Sequence, residues 1–485
     1  YPKEYNENKQ LHKMIYDDLG IDIMRVQLHK DFSTADGSLN KPKLDEVLIS
    51  QLQRMKEHGK TKWIIIPWTP PAFMKTNNSS VGGSLRTDME ERFVDYYISV
   101  LKYIRDEKGL GSPMALSLQN EISFEATWDG CRYEPEQFQR VIKMFRKKLD
   151  ANNFNSTQIL GPESGSFAGS LPYLGGENLS AFDNDPELRK AIQGYATHCY
   201  SEYSDGKYAT QMRNAITKAK SLGMEAWQTE MSYGNEPRES AKEQLDYTIK
   251  AMTSFNRDMI YVGFDYWFAW LAYHPVQKYA CNLIFGPQLQ KRKAYYVYQK
   301  LWTSAKAGYT VRHLKEDVPS LNGFDMDKID MIAFNGADSM VVMLVNTTDK
   351  GMKLNVSGLS GTTAKVFQTS EVEDMADKGS IQIANGTGMV TLPARTVTIV
   401  QTNAGDKTPA PKVFPAKEEL PIKVLINTKA LSTEVPPIIK DGRTLLPVRA
   451  IFEAMGAKVE WDEATQTVTG TKDDKKVVMQ IGKTT

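Results

Sequence analysis

Met114-Ala-Leu-Ser-Leu-Gln-Asn-Glu121 is a short apolar run that ends in a carboxylate, and Met224-Glu-Ala-Trp-Gln-Thr-Glu230 repeats this pattern later in the chain. Both runs have the length and composition of buried strands. An ionisable side chain is costly at the end of such a strand, because burial disfavours its charge. We therefore take Glu121 and Glu230 as candidate functional residues on two strands of one sheet.

Apolar runs and polar helical stretches alternate around these two strands. The polar stretches include residues 88–105 and 135–150, and repeated strand-helix units predict a parallel sheet. Seven strands over residues 1–305 predict an α/β fold, a (β/α)8 TIM barrel. Its first strand would precede residue 1, so we expect the barrel to be truncated at its N-terminal end. The remaining five strand-like runs cover residues 21–28, 63–67, 157–161, 194–198 and 262–267.

The rest of the chain has a different pattern. Residues 306–402 alternate with period two, which predicts an appended β-sandwich. Residues 403–420 are rich in proline and charge and predict a linker. Residues 421–485 predict a small α+β module that we expect to be incomplete. The sandwich strands expected from the alternation are 339–346, 364–367, 381–383 and 396–400.

Composition excludes several classes of function. The chain has 60 Lys and Arg against 59 Asp and Glu among its 485 residues, a formal net charge of +1, so no nucleic-acid partner is expected. No apolar run approaches the ~20 residues of a membrane span. Its three cysteines lie far apart and lack metal-ligand spacing, so we expect neither a metal nor a cofactor. The chain shows no initiator Met and no signal peptide, so its sequence does not indicate a location.

The loops that follow barrel strands meet at one face, so residues at strand ends gather there. Glu121 and Glu230 would lie about three strands apart, on opposite sides of the barrel mouth. Facing carboxylates of this kind serve as acid/base and nucleophile in glycoside hydrolysis. Glu163 also ends a strand, but an ion pair or a loop hydrogen bond is its simpler interpretation.

Further strand-end residues are candidates for substrate binding. Asn120 could bind a sugar 2-hydroxyl, and Arg25 could keep the nucleophile ionised. His198 and Tyr200 follow one strand, where a buried histidine is as often part of the core. A flat aromatic ring can stack on a sugar, but the same ring can equally be core packing. The aromatic candidates are Trp68, Trp128, Trp267 and Trp270.

Several of these strings resemble glycoside hydrolase family 30, especially its bacterial xylanase-type members, over roughly residues 10–402. The strings are Ile66-Pro-Trp-Thr-Pro-Pro-Ala-Phe-Met74, Leu116-Ser-Leu-Gln-Asn-Glu121, Gly161-Pro-Glu-Ser164, His198-Cys-Tyr200, Trp227-Gln-Thr-Glu230 and Leu392-Pro-Ala-Arg-Thr-Val-Thr398. The resemblance implies that Glu121 is the acid/base, that Glu230 is the nucleophile, and that the anomeric configuration is retained. It also implies that the sandwich packs on the barrel, and that xylan or xylo-oligosaccharides are the substrate.

The chain departs from the family at two places. The first barrel strand, with its Gly-Phe-Gly-Gly type of motif, is absent. The loop that grips glucuronate in glucuronoxylan-specific members reads Leu271-Ala-Tyr-His-Pro-Val-Gln-Lys-Tyr-Ala-Cys281 here and has no arginine. A lysine such as Lys278 cannot form the two parallel bonds that an arginine makes to a carboxylate. We therefore expect no strict need for glucuronate.

Residues 421–485 resemble the stalk-like domain named after the copper amine oxidase N-terminus. Asp441-Gly-Arg-Thr-Leu-Leu-Pro-Val-Arg449 and Val459-Glu-Trp-Asp462 carry this resemblance. No metal-ligand set accompanies them, so copper is not expected. The resemblance implies a secreted or cell-surface protein that could be attached to a bacterial surface through this module.

Two alternatives remain open at this stage. The same machinery could act on a β-1,6-glucan or β-1,6-galactan, a choice that loops lining the cleft, such as residues 124–133, would decide. The chain could also be a non-catalytic polysaccharide-binding protein of the cell surface that kept the cleft.

Overall fold

The computed structural model describes residues 3–34, 36–200, 209–233, 239–275, 281–312, 329–405, 425–426, 429–431, 438–440 and 443–482. Its contacts divide the chain into two compact units, Tyr1–Thr408 and Pro409–Thr485. Among the described residues, no helix combines the length and the apolar character needed to cross a bilayer. Most of the predicted linker lies outside these residues.

A seven-stranded parallel sheet forms the centre of the first unit, with its strands in chain order. This sheet and its helices confirm the predicted TIM-like α/β architecture. The strands are β1 (Met24–Leu28), β2 (Trp63–Pro67), β3 (Ala115–Ser117), β4 (Gln158–Ser164), β5 (Gly194–Thr197), β6 (Glu225–Met231) and β7 (Tyr266–Ala269).

Helices surround this sheet on its outer face. Four of them continue into a π-helical turn, at Lys13–Asp18, Asp45–Ile49, Tyr103–Glu107 and Asp258–Val262. The α-helices of the unit are α1 (Lys3–Glu7), α2 (Lys9–His12), α3 (Lys41–Leu44), α4 (Ser50–Glu57), α5 (Glu90–Lys102), α6 (Pro135–Ala151), α7 (Phe167–Leu174), α8 (Ala181–Asn184), α9 (Pro186–Ala191), α10 (Ala209–Ser221), α11 (Ala241–Arg257) and α12 (Lys293–Ser304).

The predicted strand at 262–267 is wrong over its first four residues. The helical turn Asp258–Val262 extends into the predicted strand and ends at Gly263, whose φ of 88° suits a residue without a Cβ. Strand β7 begins only at Tyr266.

Alternate side chains of the strands fill the barrel interior. Ile64 and Ile66 of β2, Leu160 of β4 and Trp227 of β6 are wholly buried in one interior cluster. Tyr266 stacks on Trp227 with ring centroids 3.6 Å apart. Strand alternation therefore tells which side chains face inward and which face the helices.

An eight-stranded antiparallel sheet follows the barrel in the same unit. Its strands are β11 (Thr310–Arg312), β12 (Ile329–Asn335), β13 (Met340–Asn346), β14 (Met352–Ser357), β15 (Thr363–Thr369), β16 (Ala376–Ala384), β17 (Thr387–Leu392) and β18 (Thr396–Thr402). Their order in the sheet is β11-β12-β13-β18-β15-β16-β17-β14. Alternate residues of β13 pack on two sides: Val342 and Leu344 lie in a core of the sheet's own, whereas Val341 and Met343 join the core of the barrel.

A small sheet lies between β7 and α12 in the chain. Its strands are β8 (Tyr273–His274), β9 (Ile284–Phe285) and β10 (Gln290–Lys291).

The described residues of the second unit form a short helix, Val448–Ala454, and short antiparallel strands. A three-stranded meander of Lys458–Asp462, Thr467–Lys472 and Lys475–Gln480 ends its described part. The other strands pair as Leu425–Ile426 with Lys429–Ala430, and Ile438–Lys440 with Arg443–Leu445.

Candidate active site

Irregularities in β4 and β6 turn two glutamates toward the barrel interior. The pairing register shifts between Pro162 and Ser164, and again between Gln228 and Met231. Leu160 and Trp227 face inward, so strict alternation would point Glu163 and Glu230 outward. A bulge re-aims side chains in this way, and bulges are common beside functional sites.

Arg25, on the inner face of β1, holds the site together. Its Nη1 donates to Glu230 Oε2 over 2.7 Å, and its Nη2 donates to Asn120 Oδ1 over 2.5 Å and to Glu163 Oε1 over 3.1 Å. Its side chain is only 7% exposed, and the two carboxylates raise the pKa of its guanidinium although burial opposes them. The cation therefore joins β1 to the ends of β3, β4 and β6.

Glu121 faces Glu230 across the mouth of the barrel. Oxygen atoms of the two carboxylates and a ring nitrogen of His198 all lie within 4.8 Å of one another. Tyr200 donates its hydroxyl to Glu230 Oε1 over 2.9 Å. Gly165 leaves room for Glu121, since a Cβ there would lie 3.0 Å from Glu121 Oε1.

His198 lies wholly buried between two carboxylates. Its Nδ1 is 3.4 Å from Glu121 Oε1 and its Nε2 is 3.5 Å from Glu163 Oε1, both ion-pair distances without hydrogen-bond geometry. Burial lowers the pKa of His198, but Glu230, Glu121 and Glu163 raise it more, to about 9. The ring is therefore an imidazolium at neutral pH.

Glu163 is a wholly buried carboxylate with three partners. Besides Arg25 and His198, it accepts a hydrogen bond from Ser117 Oγ over 3.1 Å. Burial raises its pKa, but His198 and Arg25 outweigh this effect, so the net pKa lies below its ordinary value. Glu163 is therefore ionised in the folded protein.

Aromatic rings cover one side of the cluster. The Trp68 ring lies 4.7 Å from the Arg25 guanidinium carbon and 5.8 Å, centroid to centroid, from the Trp270 ring. Trp267 does not belong to this group, and its prediction as a sugar platform is wrong. Tyr266 and Phe268 take the inner face of β7, so Trp267 points outward, where its indole N–H donates to Asp258 and its ring packs on Phe255.

Two loops form a joined wall beside the site. Lys75, 2% exposed, donates to Thr69 Oγ1 at 3.0 Å, to the Ser80 carbonyl at 3.1 Å and to the Gly130 carbonyl at 2.5 Å. Burial lowers the pKa of its ammonium. Isolated bridges also join the loops, Val81 to Asp129 and Ser84 to Arg132. The loop after β2 and the loop after β3 are thus tied to each other.

Trp128 lies on this wall and outside the carboxylate cluster. It and Phe124 are each 48% exposed, and their rings lie 5.5 Å apart. Neighbouring Asp129 pairs with Lys30 at 2.8 Å. Exposed rings of this size on anchored backbone form an apolar surface open to a ligand.

The structure brings eight of the ten sequence candidates together and leaves Trp128 and Trp267 outside this cluster. The clustered residues are Arg25, Asn120, Glu121, His198, Tyr200, Glu230 and, by their rings, which are tilted to each other, Trp68 and Trp270. Sequence reasoning missed Ser117, although period-two alternation from Ala115 would have placed it inside the barrel. Glu121, His198 and Glu230 could each offer one atom to a metal ion, but Arg25 already neutralises Glu230.

Comparisons with known proteins bear out the resemblance seen in the sequence. The glucuronoxylanase XynC of Bacillus subtilis is 22% identical over 343 residues, which cover 68% of this chain and 71% of that protein. The structure of a glycoside hydrolase family 30 subfamily 8 xylanase, Xyn30A from Clostridium acetobutylicum, matches with a TM-score of 0.63 and 22% identity over 82% of this chain and 93% of its own. The structure of an endo-β1,6-glucanase matches with a TM-score of 0.59 and 16% identity. The match covers 84% of this chain and 86% of the glucanase chain.

The C-terminal residues match a different family. The model of the copper amine oxidase N-terminal domain covers residues 425–485. The matches therefore support glycoside hydrolase family 30 for the first unit and this stalk-like domain for the second. At such low identities, the structural matches establish the fold.

Proposed function

We propose that this chain is a retaining glycoside hydrolase that cleaves β-1,4-xylosidic bonds of xylan or xylo-oligosaccharides. The observation that carries the proposal is the pair Glu121 and Glu230, whose carboxylate oxygens lie within 4.8 Å across the barrel mouth. Retaining enzymes hold these groups ~5–5.5 Å apart, and inverting enzymes ~6.5–9.5 Å. The spacing is below the range in which an inverting enzyme admits its attacking water beside the sugar, and so supports double displacement.

Each carboxylate has partners that suit its role. Arg25 and Tyr200 hold both oxygens of Glu230, which aligns it to attack the anomeric carbon as nucleophile. The Glu121 side chain is 14% exposed at the mouth, where it can give a proton to the leaving oxygen and later take one from water. Since Arg25 occupies the Asn120 oxygen, the amide NH2 is the group that can donate to a sugar hydroxyl.

The activities of similar proteins support xylan as the substrate. The sequence relative is a glucuronoxylanase and the Clostridium acetobutylicum structure is a xylanase, whereas the glucanase structure matches with a lower TM-score. A non-catalytic binder would have no need for this buried network of two cations and three carboxylates, which is costly to desolvate. We further propose secretion and surface attachment through residues 421–485, which the domain match supports.

Replacing Glu230 by Gln tests the enzymatic proposal. We expect wild type to hydrolyse xylan and an aryl xylobioside, and Glu230→Gln to lose about 10⁴-fold in kcat because the amide cannot act as nucleophile. Glu225→Gln is the matched control, the same change at the far end of the same strand, where Glu225 bonds Tyr266. Equal turnover by wild type and Glu230→Gln would end the assignment, and NMR of the first product should show the β-anomer.

The proposed hydrolase has no strict need for glucuronate. The loop of residues 271–281 contains no arginine, although residues 276–280 lie outside the described part. We expect activity on glucuronoxylan to change less than about 3-fold after its glucuronic acid is removed, since one arginine–carboxylate bond pair would be worth far more. Reducing-sugar release from matched polymers measures this, and a 100-fold loss would refute it.

A further inference from the structure

Glu163 has the surroundings of a functional residue but neither catalytic role. It is wholly buried at the irregularity in β4, and its φ of 65° lies in the left-handed region that residues with a Cβ rarely adopt. Its backbone carbonyl accepts a hydrogen bond from the Glu121 amide at 2.8 Å. The residue therefore fixes the backbone of the acid/base as well as placing its own charge.

The carboxylate of Glu163 touches the cation beside each catalytic carboxylate. Arg25, at 3.1 Å from Glu163, also binds Glu230, and His198, at 3.5 Å, lies beside Glu121. Without Glu163, two buried cations would face each other across the site with less opposite charge. The charged and titratable groups around this cluster are Arg25 from β1, Tyr97 from α5, Glu121 after β3, His198 from the end of β5, Tyr200 after it and Glu230 from β6.

We propose that Glu163 is a positioning residue, a permanent buried anion that holds Arg25 against Glu230 and a charged His198 against Glu121 throughout the reaction. The expected effect of Glu163 on catalysis rests on the proposed hydrolase function, whereas the charge arrangement does not depend on that function. When Glu121 carries its proton, two cations face two anions, so the buried site is neutral.

The reaction keeps this balance. In the first step Glu121 gives its proton to the glycosidic oxygen, the bond from that oxygen to the anomeric carbon breaks, and a Glu230 oxygen bonds to that carbon. The negative charge thus leaves Glu230 and appears on Glu121, next to His198. In the second step water gives a proton to Glu121, its oxygen bonds to the anomeric carbon, and the ester to Glu230 breaks. Glu163 stays charged in both steps.

The first test reads the charge of His198 without any substrate. NMR of the six histidine rings, with His198→Gln to assign the resonance, gives its titration midpoint. We expect about 9 in wild type and a fall of about 1–3 pH units in Glu163→Gln, since an opposite charge at this distance shifts a pKa by that much. A wild-type His198 that is neutral at pH 7, or a midpoint unchanged in Glu163→Gln, overturns the inference.

The second test reads the same charge through catalysis. With Glu163→Gln, kcat should fall about 10- to 100-fold, as for other partners that orient a functional group. The alkaline limb of kcat/KM should move to lower pH, because His198 then loses its proton earlier. Glu163→Asp keeps the charge and should recover part of both effects.

Controls separate this role from mere stability. Glu90→Gln is matched, since Glu90 is also buried and bound to an arginine, Arg140, but on the helical ring. A pH profile of Glu163→Gln that is unshifted while its Tm falls as in Glu90→Gln would refute the inference. If Glu163→Gln does not fold, the wild-type titration and Glu163→Asp still decide it. Inactive wild type with a His198 midpoint near 9 would remove the hydrolase proposal and leave the charge assignment standing.

Discussion

Glu121 occupies a backbone conformation that a glutamate seldom takes. Its φ is 52°, and its amide is held by the Glu163 carbonyl. A residue of this type in the left-handed region costs of order 1–3 kcal/mol, which the surrounding structure must offset. Strained residues of this kind cluster at active sites, and here the strain turns the carboxylate into the mouth toward Glu230.

The leaving group tests the role of Glu121. In Glu121→Gln, xylan hydrolysis should fall about 10²- to 10⁴-fold, because the leaving oxygen no longer receives a proton. A 2,4-dinitrophenyl xylobioside needs no such proton, so its first step should be nearly unaffected. Stopped-flow kinetics would show a burst of the phenolate followed by slow turnover.

Azide supplies the complement of that experiment. It attacks the glycosyl-enzyme without base catalysis, so it should restore turnover of the activated substrate and yield the β-glycosyl azide. Equal losses on both substrates, with no rescue, would contradict the acid/base role.

At the level of single elements, the burial of a strand determines how easily its position can be predicted from the sequence. The barrel strands β2 and β5 were located within a residue because a strand buried on both faces is a continuous apolar run. Strand β14 was missed although Met352, Leu354 and the buried Val356 alternate with polar residues, which is the pattern of a half-buried strand. Only its pairing with β17, which runs along its whole length, makes the strand plain.

The site was predictable to the extent that strand ends are predictable. Glu121 and Glu230 stand at the ends of recognisable apolar runs, but the inward turn of Glu163 and of Glu230 depends on irregularities that no local pattern predicts. Trp267 was predicted to face the site but faces the helices, because a shift of one residue in register moves a side chain to the other face of the sheet. The register depends on how two strands pair, so the sequence of one strand alone does not predict it.

We predict that the exposed aromatic surface on the loop after β3 binds sugar on the leaving-group side. Phe124 and Trp128 follow the acid/base by three and seven residues, and the Phe124 amide bonds the Glu121 carbonyl at 3.0 Å. In Trp128→Ala, we expect KM for xylan to rise about 2- to 10-fold, because a stacked ring contributes ~0.5–1.5 kcal/mol beyond its burial. Turnover of an aryl xylobioside, which has no sugar on that side, should be unchanged.

Trp461→Ala is the matched control for this loop, since Trp461 is 41% exposed in the second unit. Initial rates over a range of xylan concentrations measure the effect. A rise in KM on the aryl substrate as well, or equal changes in both tryptophan variants, would contradict a leaving-group subsite on Phe124 and Trp128.

At the scale of the molecule, the antiparallel sheet is part of the barrel unit. Arg395 pairs with Asp246 of α11, and Lys293 of α12 pairs with Asp374 at 2.9 Å. Apolar residues of β13 and β18 lie in the same core as those of the barrel. The period-two pattern predicted these strands but carried no sign of their partner, because the contacts join residues more than 80 positions apart.

Lys75 has a consequence for how the cleft of this protein can change. Its ammonium is anchored at once to both loops that border the mouth, and a buried cation that loses an acceptor is expensive. Neither loop is therefore an independent module. Replacing only one of them by the loop of a relative with another specificity would leave the buried Lys75 ammonium without one of its acceptors. Natural or engineered changes of the cleft must therefore exchange the two loops together.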